Sequence, residues 1–199
     1  MAAPDQAAAA AQEFTHIRIV MGMVVGLGVT RLLSGVARIV QHPQQYKIYP
    51  VHLAWVAYLL LMLVHFWWWE FGLYNLRIWT FGVYLFVVCY AIILFLLCAL
   101  LFPDSMQDYK SYEDYFLSKR AWFFGVLASA YLLDVVDTRL KGEEHFAQFG
   151  NEYLIRTPLF VILCMAAIAT DNRTFHRAFV TFALLYQAAW IWRLFDTLA

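Results

Sequence analysis

Long uninterrupted runs of apolar residues alternate along this chain with short polar segments. The longest run, residues 78–102, contains no Asp, Glu, Lys or Arg. A helix rises about 1.5 Å per residue, so this run covers roughly 37 Å, more than the ~30 Å hydrocarbon core of a bilayer. A second run, residues 48–69, also lacks these residue types, and its strongly polar members are His52 and His65. Both runs predict membrane-spanning helices.

Four further segments complete the predicted pattern. Residues 17–40 form a first span that contains Arg31, and its Gly22 and Gly26 are spaced to let a neighbouring helix approach closely. Three shorter uncharged runs reach the ~20 residues of a span only if the charged residues at their ends are included. These runs are 121–133, 157–170 and 178–192. We expect an all-α integral membrane protein with a bundle of about six transmembrane helices; four spans with interfacial helices are the alternative.

This pattern divides the single membrane domain into four parts. Residues 1–13 are Ala-rich and predict a flexible N-terminal tail, without the basic start of a cleaved signal peptide. Spans 1–3 occupy residues 14–103, and spans 4–6 occupy residues 120–199. Between them, residues 104–119 predict a polar interfacial loop, and its tyrosines also make it the best candidate for an interfacial helix. The two halves are weakly alike, as in a three-plus-three inverted repeat.

Two membrane faces follow from this order of spans. Face A carries both termini and the loops after spans 2 and 4, whereas face B carries the loops after spans 1, 3 and 5. Basic residues are divided almost equally between the faces. The positive-inside rule therefore does not orient the chain.

The composition agrees with a membrane protein and excludes several function classes. The sequence is 63% hydrophobic and 14% charged, and this charged fraction is about half that of an ordinary soluble domain. The net charge is zero, so nucleic acid, which requires a basic patch, is not an expected partner. The expected partners are the lipid bilayer and either a second copy of the chain or another membrane protein. No nucleotide-binding, protease, hydrolase or C-x-x-C motif is present, so we expect no catalytic residues.

Aromatic motifs in spans 2 and 3 carry a family resemblance. They are His52-Leu-Ala-Trp55, His65-Phe-Trp-Trp-Trp-Glu70, Trp79-Thr-Phe81 and Leu101-Phe-Pro103. Over these two spans the chain resembles small multi-span proteins of the bacterial inner membrane. The resemblance implies a location in the inner (cytoplasmic) membrane and implies no mechanism.

Arg31 is the charged residue that the pattern places deepest in the bilayer. It lies roughly 13 Å from the face B end of span 1, and a charge near the centre of a span costs about 2.5–3.5 kcal/mol. Tyr186 and Gln187 of span 6 are expected at a comparable depth and could accept its hydrogen bonds. One interpretation is an anion or polar-substrate site at mid-membrane. The other is an arginine satisfied by helix-end carbonyls or by reaching the surface.

A second group of charged and polar residues is expected near face A. It could form an ion-pair network or a vestibule, or it could consist of ordinary charges at the ends of spans. The candidate ligand-binding residues of both groups together are Arg31, His65, Glu70, Asp134, Arg156, Tyr186, Gln187 and Arg193.

The histidines raise the question of haem, because two from different spans could ligate the iron of a haem b axially. The weak candidates are His16, His52, His65 and His176. No two histidines recur at a fixed spacing on one span, so the pattern predicts no cofactor and no metal site.

Three functions remain open at this point. The first is a small transporter or channel with a polar site inside the bundle, for which Arg31→Ala would abolish transport in a folded protein. The second is a non-catalytic assembly or accessory subunit of a membrane complex. The third is a haem- or quinone-linked redox protein, which would be coloured if it held haem.

Overall fold

The structure, a computed structural model, is a bundle of helices. It describes residues 4–42, 47–76, 79–142, 146–147 and 149–196. The helices are α1 (Pro4–Gln41), α2 (Pro50–Trp69), α3 (Phe81–Leu101), α4 (Tyr112–Leu140), α5 (Gly150–Ala169) and α6 (Arg173–Asp196), with a 3-10 helix (Glu70–Asn75) that continues α2. The described residues contain no β-strand, which confirms the predicted all-α class.

Five of the described helices, α1 to α5, are long and apolar enough to cross a membrane. They are compatible with a multi-pass membrane protein. The sixth helix, Arg173–Asp196, is not among these five. It is nevertheless continuous over 24 residues.

Local capping explains where the helices begin and corrects two of the predicted boundaries. The Ser111 hydroxyl accepts a hydrogen bond from the Asp114 backbone N–H at 3.2 Å, and Glu113 lies in the same first turn, where carboxylates favour a helix. Helix α4 therefore begins at Tyr112 rather than at residue 120, and the predicted loop 104–119 is only half a loop. The predicted tail 1–13 is likewise helical from Pro4 onward, in keeping with the high helix propensity of alanine.

Helix α2 lies at the centre of the bundle, in contact with α1, α3, α4 and α6. The most extensive packing joins α1 to α3 in the first half of the chain and α4 to α5 in the second half. Corresponding helices of the two halves therefore do not pack alike. This difference gives the predicted three-plus-three repeat no support.

Glycines of α1 let bulky side chains of other helices approach its backbone. The ring of Trp67 lies against Gly22, and the ring of Phe102 lies so close to Gly35 that a Cβ atom there would overlap it. Gly26, by contrast, faces open space. The predicted close approach is therefore correct at Gly22 and wrong at Gly26. A second close contact on α1 occurs at Gly35 instead.

An aromatic layer closes the middle of the bundle. It consists of Trp55, Phe123, Phe124 and Phe179, and the indole ring lies 5.2–5.5 Å from the three phenyl rings in edge-to-face geometry. Such pairs add about 0.5–1.5 kcal/mol each beyond the area they bury. The layer lies between the polar side chains inside the bundle on the face A side and the interhelical loops at face B.

Candidate functional site

A small polar cavity lies on the face A side of the aromatic layer. Helices α2 to α6 all contribute to its wall, and its volume is about 30 Å³. This volume holds about one water-sized species. The lining residues are Tyr58, Met62, His65, Phe66, Trp69, Tyr90, Tyr131, Asp134, Arg156 and Gln187. Four of the eight predicted ligand-binding residues thus meet in this polar cavity.

The strongest electrostatic element of the polar cavity is the ion pair between Asp134 and Arg156. Arg156 Nη2 lies 2.6 Å from Asp134 Oδ2, and the two side chains are only 17% (Asp134) and 9% (Arg156) exposed. The Tyr153 hydroxyl donates to the same carboxylate oxygen at 2.8 Å. The guanidinium also lies 5.0 Å from the centres of the Tyr153 and Trp190 rings. A carboxylate and a guanidinium so buried are stable only because each compensates the other.

A hydrogen bond between two side chains connects α2 with α6 across the polar cavity. The Gln187 amide donates from Nε2 to Nδ1 of His65 over 3.1 Å. With the amide in this orientation Nδ1 is the acceptor, so the neutral ring carries its proton on Nε2. His65 also packs against the Trp69 ring, with 5.5 Å between ring centres. The histidine is thereby held in one orientation beside the cavity.

Two tyrosine hydroxyl groups form the innermost polar element. The hydroxyl oxygens of Tyr58 and Tyr131 lie 2.5 Å apart, and both side chains are buried. One hydroxyl donates to the other, which leaves the second O–H proton without an acceptor among the described residues. Because both residues line the polar cavity, a species inside it could accept that proton.

A salt-bridged carboxylate, Glu152, lies near the face A surface at the outer edge of the site. Glu152 accepts hydrogen bonds from two nitrogens of Arg193, at 2.6 and 2.9 Å, and from the Tyr186 hydroxyl at 3.0 Å. The Trp190 ring lies between the guanidinium groups of Arg193 and Arg156. Arg193 and Tyr186, both predicted site residues, are therefore at the outer edge of the site rather than in the cavity wall.

Glu70, another predicted site residue, belongs to a separate buried cluster. Its Oε1 lies 3.0 Å from Lys141 Nζ, and the same ammonium group pairs with Asp137 on α4. The lysine also lies over the Trp69 ring, at 5.5 Å from its centre. Trp69 thus separates this cluster from the polar cavity.

Arg31 lies at the other membrane face, away from the remaining predicted site residues. Its Nη2 donates to the Phe102 carbonyl at 2.8 Å and to Asp104 Oδ1 at 2.6 Å. Asp104 is 91% exposed. The expected contacts with Tyr186 and Gln187 do not form, because the loop after α3 returns to α1 and supplies both acceptors. The alternative in which helix-end carbonyls satisfy this arginine matches the geometry.

Two of the haem-ligand candidates are bound to the backbone. The ring nitrogen Nε2 of His52 lies 2.6 Å from the Leu101 carbonyl, and Nε2 of His176 lies 2.9 Å from the Thr170 carbonyl. The Phe116 ring packs edge-on against both imidazoles. In the part of the chain that the structure describes, no group of three or more His, Cys, Asp or Glu side chains could hold a metal ion. Haem therefore stays an untested alternative to the prediction of no cofactor.

A larger groove of about 510 Å³ lies between α1 and the start of α3. It holds His16, a further haem-ligand candidate, together with Glu13 and Thr80, and all three side chains are exposed. Its floor is apolar, including Ile17 and Val20. A groove of this kind on the outside of a bundle suits lipid contact rather than a charged ligand.

Sequence reasoning missed Lys141, Tyr153 and Trp190. Lys141 was expected in a loop, but the i, i+4 spacing from Asp137 could have placed it on the same helix face. The two aromatic residues gave no signal, because their role depends on how α5 and α6 approach each other. No protein-family model, no curated protein and no solved structure matches this chain.

Proposed function

We propose that this protein is a small transporter or channel with six spans, whose polar cavity binds and passes a proton. The observation that carries the proposal is the meeting of His65, Gln187, Asp134 and Arg156 around a cavity inside the bundle. Ionisable residues inside a membrane are costly and mark ion paths and proton relays. The family resemblance favours the bacterial inner membrane.

The packing of α6 favours six spans over five. Its 24 residues cover roughly 36 Å, enough to cross the bilayer with some tilt. Arg173 and Arg177 lie at its face B end, Arg193 lies near its face A end, and residues 178–192 between them carry no charge. The helix packs along α2, and Gln187 points its amide to His65. Gln187, the polar residue within this uncharged stretch that is buried, is therefore satisfied inside the bundle.

The size of the polar cavity favours a proton over a metabolite. Sites for small organic molecules usually have volumes of about 300–1,000 Å³, whereas this cavity measures about 30 Å³. Its wall offers groups that exchange protons or hydrogen bonds: an imidazole, a carboxylate and a pair of hydroxyls. A water-sized species among them could connect the Tyr58 and Tyr131 hydroxyls to His65 and Asp134.

The aromatic layer defines the conformation that the structure represents. Trp55 and the phenyl rings around it separate the polar cavity from face B, whereas Glu152 and Arg193 lead from the cavity towards face A. A proton therefore enters from face A in this conformation. Passage to face B requires the aromatic layer to move.

The experiment is proton flux into liposomes that contain the purified protein and a trapped pH-sensitive dye. A potassium diffusion potential, applied in either direction, drives the protons. We expect flux well above that of protein-free liposomes, and at least a tenfold decrease in Asp134→Asn and in His65→Asn. Asp104→Asn, which changes the face B ion pair, is the matched control and should retain the wild-type flux.

Two results would contradict the proposal. One is an absence of flux in the wild-type protein at both polarities, and the other is equal flux in all three variants. Purification of the protein with a stable membrane partner, combined with an absence of flux, would favour the accessory-subunit hypothesis instead.

A further inference from the structure

The cluster of Glu70, Asp137 and Lys141 contains more acid than base. Lys141 Nζ pairs with Glu70 Oε1 at 3.0 Å and with Asp137 Oδ2, and the three side chains are 0–1% exposed. Two ionised carboxylates and one ammonium leave a net charge of −1. An uncompensated buried charge is so unfavourable that the group normally changes its protonation state instead.

Neighbouring charges do not remove this excess. Among the described residues, the other titratable groups that act electrostatically on the cluster include Asp134 on α4, Tyr90 on α3 and His65 on α2. Asp134 is neutralised by its own partner, Arg156. Tyrosine and histidine supply no positive charge as neutral groups. Among the described residues, the two carboxyl groups form no ion pair with a second cation.

The remaining carboxyl oxygens point to the same conclusion independently. Glu70 Oε2 and Asp137 Oδ1 are buried and have no hydrogen-bond donor. Both carboxyl groups contact the same Lys141 ammonium group, so they lie close to each other. Two ionised carboxylates in contact would repel, whereas a protonated carboxyl would donate to its neighbour. One added proton therefore satisfies both oxygens and removes the excess charge.

We propose that Glu70 and Asp137 form a proton-binding site that holds one shared proton, with Lys141 as the counterion of the remaining carboxylate. The proton forms an O–H bond to one carboxyl group and a hydrogen bond to the other, and the cluster as a whole is neutral. The carbon chain of Lys141 packs against Gly72 and its ammonium lies over Trp69, so water is kept from the pair. This site is separate from the polar cavity, and it exists whether or not the protein transports protons.

The test is infrared spectroscopy of the purified protein in mild detergent at neutral pH. A protonated carboxyl gives a C=O stretching band that shifts in deuterium oxide, whereas a carboxylate gives none in that region. We expect a band that corresponds to one carboxyl per chain in the wild-type protein. The intensity should fall when the pH is raised far enough to ionise the pair.

Substitutions assign the band to the two residues. Glu70→Gln and Asp137→Asn should each abolish it, because the remaining carboxylate then forms a one-to-one ion pair with Lys141. Lys141→Met should double it, because the second carboxyl loses its counterion. Glu152→Gln, which changes an acid already paired with Arg193, is the matched control and should leave the band unchanged.

The result that overturns the inference is either an absence of this band in the wild-type protein or its persistence in both Glu70→Gln and Asp137→Asn. The wild-type band and its pH titration need no variant, so the test survives if a substitution prevents folding. The measurement uses no proton gradient. A protein without flux can therefore still show the band, which separates this inference from the proposed function.

Discussion

The two faces of the bundle use ion pairs in opposite ways. At face B, the pairs Arg31–Asp104 and Arg120–Asp171 each include an acid that is mostly exposed. At face A, the pair Arg156–Asp134 and the cluster around Lys141 are buried, and only the outer pair Arg193–Glu152 of the described face A pairs is exposed. Exposed pairs contribute about 0–1 kcal/mol, whereas loss of one member of a buried pair costs about 3–5 kcal/mol. Stability alone does not require buried charges, so the buried pairs at face A are where the proposed function is best tested.

The largest expected effect is that of Arg156→Met. The substitution leaves the Asp134 carboxylate buried without its cation, so the free energy of unfolding should decrease by about 3–5 kcal/mol. The double variant Arg156→Met with Asp134→Leu should recover most of this loss because no charge remains, yet it should not transport protons. Unfolding by a denaturing detergent measures both effects. Arg173→Met, which removes an exposed guanidinium group at face B, is the control, and an equal loss there would remove the contrast between the faces.

A packing substitution at face B should have the next largest effect. In Gly35→Ala the added methyl group overlaps the Phe102 ring, and we expect a loss of about 1–3 kcal/mol from the strain of overpacking. Gly26→Ala adds the same methyl group to the same helix at a position with open space. It should leave the unfolding transition unchanged. If both variants unfolded alike, close packing would not be what holds α1 at face B.

Tyr58→Phe should separate the role of the hydroxyl pair in stability from its role in proton transfer. The variant removes the hydrogen bond to Tyr131, so we expect a loss of about 1 kcal/mol in stability together with a marked decrease in proton flux. Tyr115→Phe is the matched control, because it removes a single hydrogen bond to the Leu100 carbonyl near face B. It should lower stability by a similar amount and leave the flux intact. Equal flux in the two variants would argue against a role for Tyr58.

The smallest expected effect is that of Arg31→Ala. The hydrogen bonds of this arginine to Phe102 and Asp104 hold the loop after α3, and the exposed pair contributes about 0–1 kcal/mol. We expect flux close to the wild-type value in liposomes. This outcome would reverse the expectation drawn from the apolar pattern alone, in which Arg31→Ala abolishes transport. A complete loss of flux would instead support a substrate site at Arg31, as the sequence pattern first suggested.

Much of the helical framework was predictable because hydrophobic length alone specifies it. Spans 2 and 3 follow directly from uncharged runs, and the structure places α2 and α3 within them. An interfacial helix was anticipated in residues 104–119, but its continuity with α4 was missed, because a single capping serine, Ser111, starts one long helix inside this polar segment. The length of an apolar run gives no information about a helix cap, because a cap involves only one side chain and one backbone N–H.

The site was predictable in composition but not in arrangement. His65, Asp134 and Arg156 were predicted near face A and Gln187 was predicted beside Arg31, and all four line one cavity. Arg31 was grouped with the wrong partners because its depth was counted along its own helix. That count ignores a loop that folds back to supply Asp104. The depth of a residue can be counted along its own helix, whereas its hydrogen-bonding partner depends on how the helices and loops pack together.

The docking of α6 against α2 also has a consequence for how the protein is made. A ribosome synthesises the second helix well before the sixth, so the hydrogen bond between His65 and Gln187 cannot form until the sixth helix has entered the membrane. The salt bridge between Glu152 and Arg193 has the same dependence. In the six-span arrangement, α6 therefore meets polar partners that are already in the bilayer when it inserts. The polar cavity is completed only at that late step of biosynthesis, and a chain interrupted before α6 would lack it.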